Sequence, residues 1–257
     1  MSPKDLYLAD VTPDPRGGVL GVVRWNETPK KTRTGVVRFD RDGDYDGLVW
    51  LDTDLNVTHA VEFSSSGNFL VVGNDEHWRT KVALFDFRGF VLNPAVLTYG
   101  DAVDASSKSA AEQVTPAMER AMREAGTIRM ASAPDDSVYL LNVQRGRKIL
   151  RVQSSGKVTE MKLAGPSQDT MPMELVVSPS YLYLGEALLE KGQTSGPLKR
   201  FLISVYDRDN GTLEASYETK TPLGGTFVAA SPRDFYFVGT RVPPGGAVNF
   251  SLIRAQP

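Results

Sequence analysis

Residues 60–73 read Ala60-Val61-Glu62-Phe63, then Ser64-Ser65-Ser66-Gly67, then Asn68 and Phe69-Leu70-Val71-Val72-Gly73. Two apolar, β-rich runs flank a tight polar corner, which is the pattern of two antiparallel strands joined by a turn. The same arrangement recurs along the chain. Leu6 to Val11 meets Thr12-Pro13 and continues as Val19 to Trp25. Ile128 to Ser132 meets Ala133-Pro134-Asp135-Asp136 and then Val138 to Val143. Glu174 to Val177 meets Ser178-Pro179-Ser180 and then Tyr181 to Gly185, and Thr226 to Ala230 meets Ser231-Pro232-Arg233-Asp234 and then Phe235 to Gly239. Proline fixes φ at such corners, while Asp, Ser and Gly tolerate the remaining turn geometry. The corners fall at 13, 65, 134, 179 and 232, with spacings of 52, 69, 45 and 53 residues.

A second hairpin follows the first. Val82-Ala83-Leu84-Phe85-Asp86 precedes Arg88-Gly89 and Phe90 to Leu92. Comparable pairs follow Val36 to Asp40, Ile149 to Gln153 and Leu202 to Asp207. Each repeat therefore reads as strands A, B, C and D, and the last shows only a third strand, Asn249 to Arg254. The fold class this predicts is all-β: a β-propeller of five visible four-stranded blades, the last without its fourth strand, in one domain over 1–257. Radial repetition of this kind protects the sheet edges. Six blades would follow if the chain is truncated, and a β-sandwich is the structural alternative.

Val61-Glu62-Phe63-Ser64 with Gly67, and Phe85-Asp86 with Gly89, are the motifs that mark the blades. In these, over nearly its whole length, the chain resembles the NHL, six-bladed-lactonase and YVTN-type propellers. The motifs mark blades rather than activities. The lactonase resemblance implies a divalent metal held in a central channel by Glu, Asn and Asp side chains.

Composition narrows the classes. Net charge is −2, with no cysteine and only His59 and His77. Thiol chemistry, disulfides and cysteine-ligated zinc are excluded, and no global charge favours nucleic acid. No run of about 18 apolar residues exists to span a membrane. The start lacks the apolar core of a signal peptide, and a bacterial periplasmic or secreted location is favoured if such a signal was removed. A monomer is expected.

The longest connections are the B–C loops at 26–34, 74–80, 144–148, 186–200 and 240–248, and a D–A insertion at 101–126. Within the insertion a short helix is predicted near 115–125: Thr115 as cap, Pro116 in the first turn, Gly126 as stop, with Met118, Ala121, Met122 and Ala125 on one face. Long loops on a rigid scaffold carry binding. The B–C loops hold 11 Lys and Arg against five acids. Lys30, Lys31, Arg33, Arg79, Arg145, Arg147, Lys199, Arg200 and Arg241, with His77 and Trp78, are the candidate binding residues. They point to a basic face for a protein partner or an anionic small-molecule or carbohydrate ligand.

Two candidate metal sites stand beside this. Asp42-Gly43-Asp44-Tyr45-Asp46-Gly47 matches the first half of a calcium loop, but Thr53 occupies the position of the closing bidentate Glu. The channel candidates are Glu62, Glu174 and Asn142. Asp10, Glu62, Arg129 and Glu174 share strand parity but not one depth. No P-loop, GxSxG, HExxH or dinucleotide fingerprint is present. The sequence thus leans away from an enzyme and toward a non-catalytic binding or scaffold propeller. No cofactor is expected beyond calcium or another divalent ion. The alternative is a divalent-metal hydrolase or lactonase-like enzyme working in the channel.

Overall fold

The structure is a computed structural model that describes residues 6–28, 31–100, 110–165, 170–188, 200–218, 226–241 and 249–256. The chain is all-β, a propeller with five blades and a single α-helix among the described residues. Blade 1 comprises β1 (Leu6–Pro13), β2 (Val19–Thr28), β3 (Lys31–Phe39) and β4 (Tyr45–Trp50). Blade 2 comprises β5 (Asn56–Glu62), β6 (Phe69–Asn74), β7 (Thr80–Phe85) and β8 (Val91–Tyr99). Blade 3 comprises β9 (Ile128–Ala133), β10 (Ser137–Asn142), β11 (Lys148–Gln153) and β12 (Val158–Lys162). Blade 4 comprises β13 (Thr170–Val177), β14 (Tyr181–Leu188), β15 (Arg200–Asp207) and β16 (Leu213–Glu218). Blade 5 has three strands among the described residues: β17 (Thr226–Ser231), β18 (Asp234–Arg241) and β19 (Asn249–Ala255). Each blade runs in chain order, so every polar corner read from the sequence became a hairpin between strands A and B.

The contacts divide the chain into two compact units. One is Met1–Val138 with Arg151–Thr159, the other Tyr139–Leu150 with Glu160–Pro257. In the first, β5 lies against both β1 and β9. Its core draws one face of blade 1 and one of blade 2 together through Leu20, Val22, Val36, Val57, Phe69, Val71 and Phe85. Apolar side chains, mostly aliphatic, alternate along the strands to supply this face. In the second unit the core is aromatic: Tyr183, Phe227, Phe235 and Phe237 gather with Val176, Ile203 and Val205. Their rings meet edge-on or tilted, with centroids 5.3 to 6.3 Å apart.

Each A strand of blades 1, 2, 4 and 5 carries a register shift against its B strand, between Leu8/Asp10, Val57/His59, Pro172/Glu174 and Phe227/Ala229. These bulges re-aim the residues that follow them. They also set the true equivalence between blades. The residue just past the bulge is Asp10, His59, Glu174 and Ala229, so His59 rather than Glu62 is the blade 2 counterpart of Asp10.

Two boundaries differ from the sequence expectation. The helix α1 runs Ala110–Gly126, five residues earlier than expected, with Pro116 inside it rather than in its first turn. Ala110, Ala111, Glu112 and Gln113 are strong helix formers and extend it backwards. Ala121 and Ala125 are buried, and α1 packs on β6 and β7, while Met122 is 54% exposed. The B–C connection of blade 1 is also shorter than expected, because β2 and β3 stay paired to Thr28↔Lys31. Lys31, Arg33, Lys148, Arg200 and Arg241 lie on strands rather than in loops, and Glu186 is a buried residue of β14.

Candidate functional site

The first unit contains a cleft of about 450 Å³ beside blade 2. One side is the connection from blade 1, with Asp52, Thr53, Asp54 and Leu55. The other is the B–C turn of blade 2, with Asp75, Glu76, His77 and Arg79. Lys81, Ala83 and Phe85 line it from β7, and Val91 and Pro94 from β8. Successive side chains of a strand point to opposite faces, so these alternate β7 positions share one face.

Asp75 organises the turn. Its Oδ1 accepts the N–H groups of His77 (3.0 Å) and Arg79 (2.9 Å). Its Oδ2 accepts from Arg79 Nε at 2.9 Å and lies 2.7 Å from Arg79 Nη2 and 3.1 Å from Lys81 Nζ. Burial opposes ionisation, but the backbone and guanidinium hydrogen bonds of Arg79, with Lys81, bring the Asp75 pKa down to about 2.

The turn has sisters. In 75–79 the Asp75 N–H donates to the Arg79 carbonyl and the Trp78 N–H to the Asp75 carbonyl. The same two bonds close 14–18, 40–44, 86–90 and 153–157. In those four turns the fourth residue is glycine with positive φ: Gly17 (93°), Gly43 (88°), Gly89 (90°) and Gly156 (84°). In the B–C turn of blade 2 it is Trp78, at φ 57°. A left-handed non-glycine residue costs about 1–2 kcal/mol, and strain of this kind concentrates at functional positions.

The sister turns also account for the acidic run. Asp40 Oδ1 accepts the N–H groups of Asp42 and Asp44, each at 2.9 Å. Asp86 does the same for Arg88 and Phe90. Asp42, Asp44 and Asp46 are exposed. Among the described residues no three His, Cys, Asp or Glu side chains gather as they would around a metal ion.

His77 and Arg79 are thus brought together in the cleft, whereas Trp78 is not among its lining residues. Arg33 stacks on Trp50 at 4.7 Å from the ring centroid. Arg147 reaches Glu186 (Nε to Oε1, 3.0 Å) and also bonds Thr170 Oγ1, while Thr170 Oγ1 donates to Glu186 Oε2 at 2.6 Å. That ion pair is buried and consumes the Arg147 charge within the second unit. Arg145 is exposed. Lys30 and Lys199 lie outside the described residues, as do the side chains of Lys31, Arg200 and Arg241.

Of the channel candidates, Glu62 ends β5 and holds Arg38 and Arg16. Asn142 ends β10 and accepts the Gln144 N–H at 3.0 Å. Glu174 follows the bulge in β13. The sequence reading missed the role of His59: its Nδ1 lies 2.8 Å from Asp10 Oδ2, and its Nε2 is buried without a partner. The signal was the bulge, which strand parity alone does not reveal.

Next to the cleft, which Val91 also lines, the C–D turn of blade 2 exposes Phe87, Phe90, Val91 and Leu92 at 39–59%. Arg88 sits over both Phe87 and Phe90, 5.5 Å from each ring centroid. Aromatic and arginine side chains of this kind are enriched at protein interfaces.

No family model matches the sequence, and no curated protein matches it. Solved structures resemble it in fold. The β-propeller domain of the Trilobed protease from Pyrococcus furiosus, described as having an open velcro topology, aligns with a TM-score of 0.50 and 10% identity, over 98% of this chain and 69% of that one. A chain of a mitotic checkpoint complex aligns at 0.44 with 13% identity, over 97% and 75%. A chain from a eukaryotic initiation factor structure aligns at 0.41 with 14% identity, over 91% and 49%. No helix among the described residues is long and apolar enough to cross a membrane. By fold, then, the chain is similar to β-propellers.

Proposed function

We propose that this chain is a non-catalytic binding or scaffold propeller that meets a protein partner at the cleft of blade 2. One observation carries the reading: Trp78 occupies a left-handed turn position that four sister turns give to glycine. Folding alone favours glycine there. A strained tryptophan beside an open, charged cleft is accounted for by what it contacts in a complex. The exposed Phe87, Phe90, Val91 and Leu92 extend the surface of the same blade.

Replacing Trp78→Gly separates the two roles. The variant should unfold within about 1 kcal/mol of the parent, because relief of left-handed strain offsets glycine's entropy cost. Partners captured by the parent chain and identified by mass spectrometry should be lost with W78G and kept with Met122→Lys, a change on the exposed helix surface. Unchanged capture by W78G would remove the tryptophan and its turn from the binding role.

A further inference from the structure

We infer that the blade 2 cleft takes an extended, basic segment of a partner protein, with lysine or arginine side chains spaced by apolar ones. This rests on the reading of the cleft as a partner site and specifies the partner's chemistry.

Four carboxylates line the cleft against two permanent cations, a net −2. Both cations, Arg79 and Lys81, are bound to the same carboxylate, Asp75. The cleft's positive charge is therefore matched internally, and Asp52, Asp54 and Glu76 set its outward field. Asp52 and Asp54 make no ion pair among the described residues, and Glu76, 86% exposed, faces only His77 at 3.6 Å. An anionic ligand would meet these carboxylates and would have to break the Asp75 pairs to reach a cation. A cationic side chain meets three carboxylates in solvent-facing positions at no such cost.

Leu55, Val91 and Pro94 give an apolar surface between the charged rims, with the buried Ala83 and Phe85 beneath it. Lys81, Ala83 and Phe85 alternate along β7. From the first to the last the strand advances roughly 13 Å at about 3.3 Å per residue, the length of a four- to five-residue extended segment. Apolar side chains of that segment cover the floor while its basic ones reach the rim, the pattern of strand-like peptide recognition.

The test uses the full 257-residue chain, isotope-labelled, titrated with two hexapeptides: alternating lysine and leucine, and alternating glutamate and leucine. The lysine peptide should shift amide signals of 52–55, 75–81 and 91–94, and its affinity should fall at least fivefold when salt is raised from about 50 to 300 mM. Asp52→Asn, Asp54→Asn and Glu76→Gln together should weaken it about tenfold. These three side chains are exposed, so folding is preserved. The acidic run Asp42–Asp46 is the internal control. Lysine-peptide shifts as large there as in the cleft, or absent from the cleft, overturn the inference. Equal or tighter binding of the glutamate peptide in the cleft overturns the charge assignment while leaving a partner site in place. Failure of the partner reading itself is read separately, from the W78G comparison.

Discussion

Asp75 and Glu62 both belong to blade 2, and each gathers two cations, yet their acidities move in opposite directions. Asp75 sits at the turn after β6, with its side chain 9% exposed, bound by Arg79 and Lys81. Its pKa falls to about 2. Glu62 ends β5, with its side chain 1% exposed, bound by Arg38 and Arg16. Its pKa is raised, by burial first and by the neighbouring Asp14 carboxylate last, against the pull of Arg38 and Arg16. Two differences account for this. Asp75 also receives two backbone N–H groups from its own turn. Glu62 shares its guanidinium groups with Asp14, itself 1% exposed and 2.9 Å from Arg38 Nε. Cations at hand do not determine whether a buried carboxylate is comfortable; donors per carboxylate and depth of burial do. The turn carboxylate is a rigid organiser of the cleft, while the Glu62 cluster is a costly clasp between blades 1 and 2.

The sharpest way to break this contrast is Arg38→Met. It leaves Asp14 and Glu62 buried with only Arg16, which is 49% exposed. Removing one partner from a buried ionic cluster costs roughly 3–5 kcal/mol, so the urea midpoint should fall steeply. A loss below about 1 kcal/mol would show that the cluster is solvated enough to do without Arg38.

Next come the two carboxylates themselves, which should bend the pH–stability profile in opposite senses. The folded pKa of Asp75 lies below its ordinary 3.8. Its contribution is therefore complete above that value and lost as pH falls toward about 2. The shift corresponds to about 2 kcal/mol, and Asp75→Asn should remove that acid-side loss. The folded pKa of Glu62 lies above 4.5. Its contribution is fully present below 4.5 and lost as pH rises through the raised value. Glu62→Gln should flatten that decline. At pH 7 it should cost less than Arg38→Met, because Arg38 keeps Asp14. Denaturant unfolding between pH 2.5 and 8 reads both; slopes of the same sign for the two carboxylates would end the contrast.

This division also explains what the sequence could convey. Corners such as Ser64-Ser65-Ser66-Gly67 and turns such as Asp86 to Gly89 are local, and turn chemistry is written in consecutive residues. Blade order, the three strands described in blade 5 and the presence of a helix in the insertion after blade 2 were legible for that reason, though not where that helix begins. The clasps were not: Glu62 meets Arg38 from 24 residues away and Arg147 meets Glu186 from 39. No pattern at short range announces such pairs. Asp10 and His59 were obscured by bulges, which shift depth without changing composition. The Trp78 anomaly was present in the letters, since Asp75 to Arg79 aligns with Asp86 to Phe90. Only the shared hydrogen bonds show that these are the same turn. The basic loops illustrate the opposite error: counting charges treats Arg79 and Arg147 as available, while Asp75 and Glu186 already hold them.

The smallest expected effect tests whether depth governs the Glu62 clasp. Arg16 approaches the same two carboxylates as Arg38, at 3.4 Å from each. Its side chain is 49% exposed against 18% for Arg38. Solvent competes for its hydrogen bonds and screens its charge, as for surface ion pairs. Its longer contacts add little geometric strength beyond that. Arg16→Ala should therefore change the unfolding midpoint far less than Arg38→Met, and raising the ionic strength should diminish what difference there is. Were Arg16→Ala as damaging as Arg38→Met, the two guanidinium groups would act as one unit around Asp14 and Glu62. The contrast with Asp75 would then rest on the number of carboxylates sharing the charge rather than on their depth.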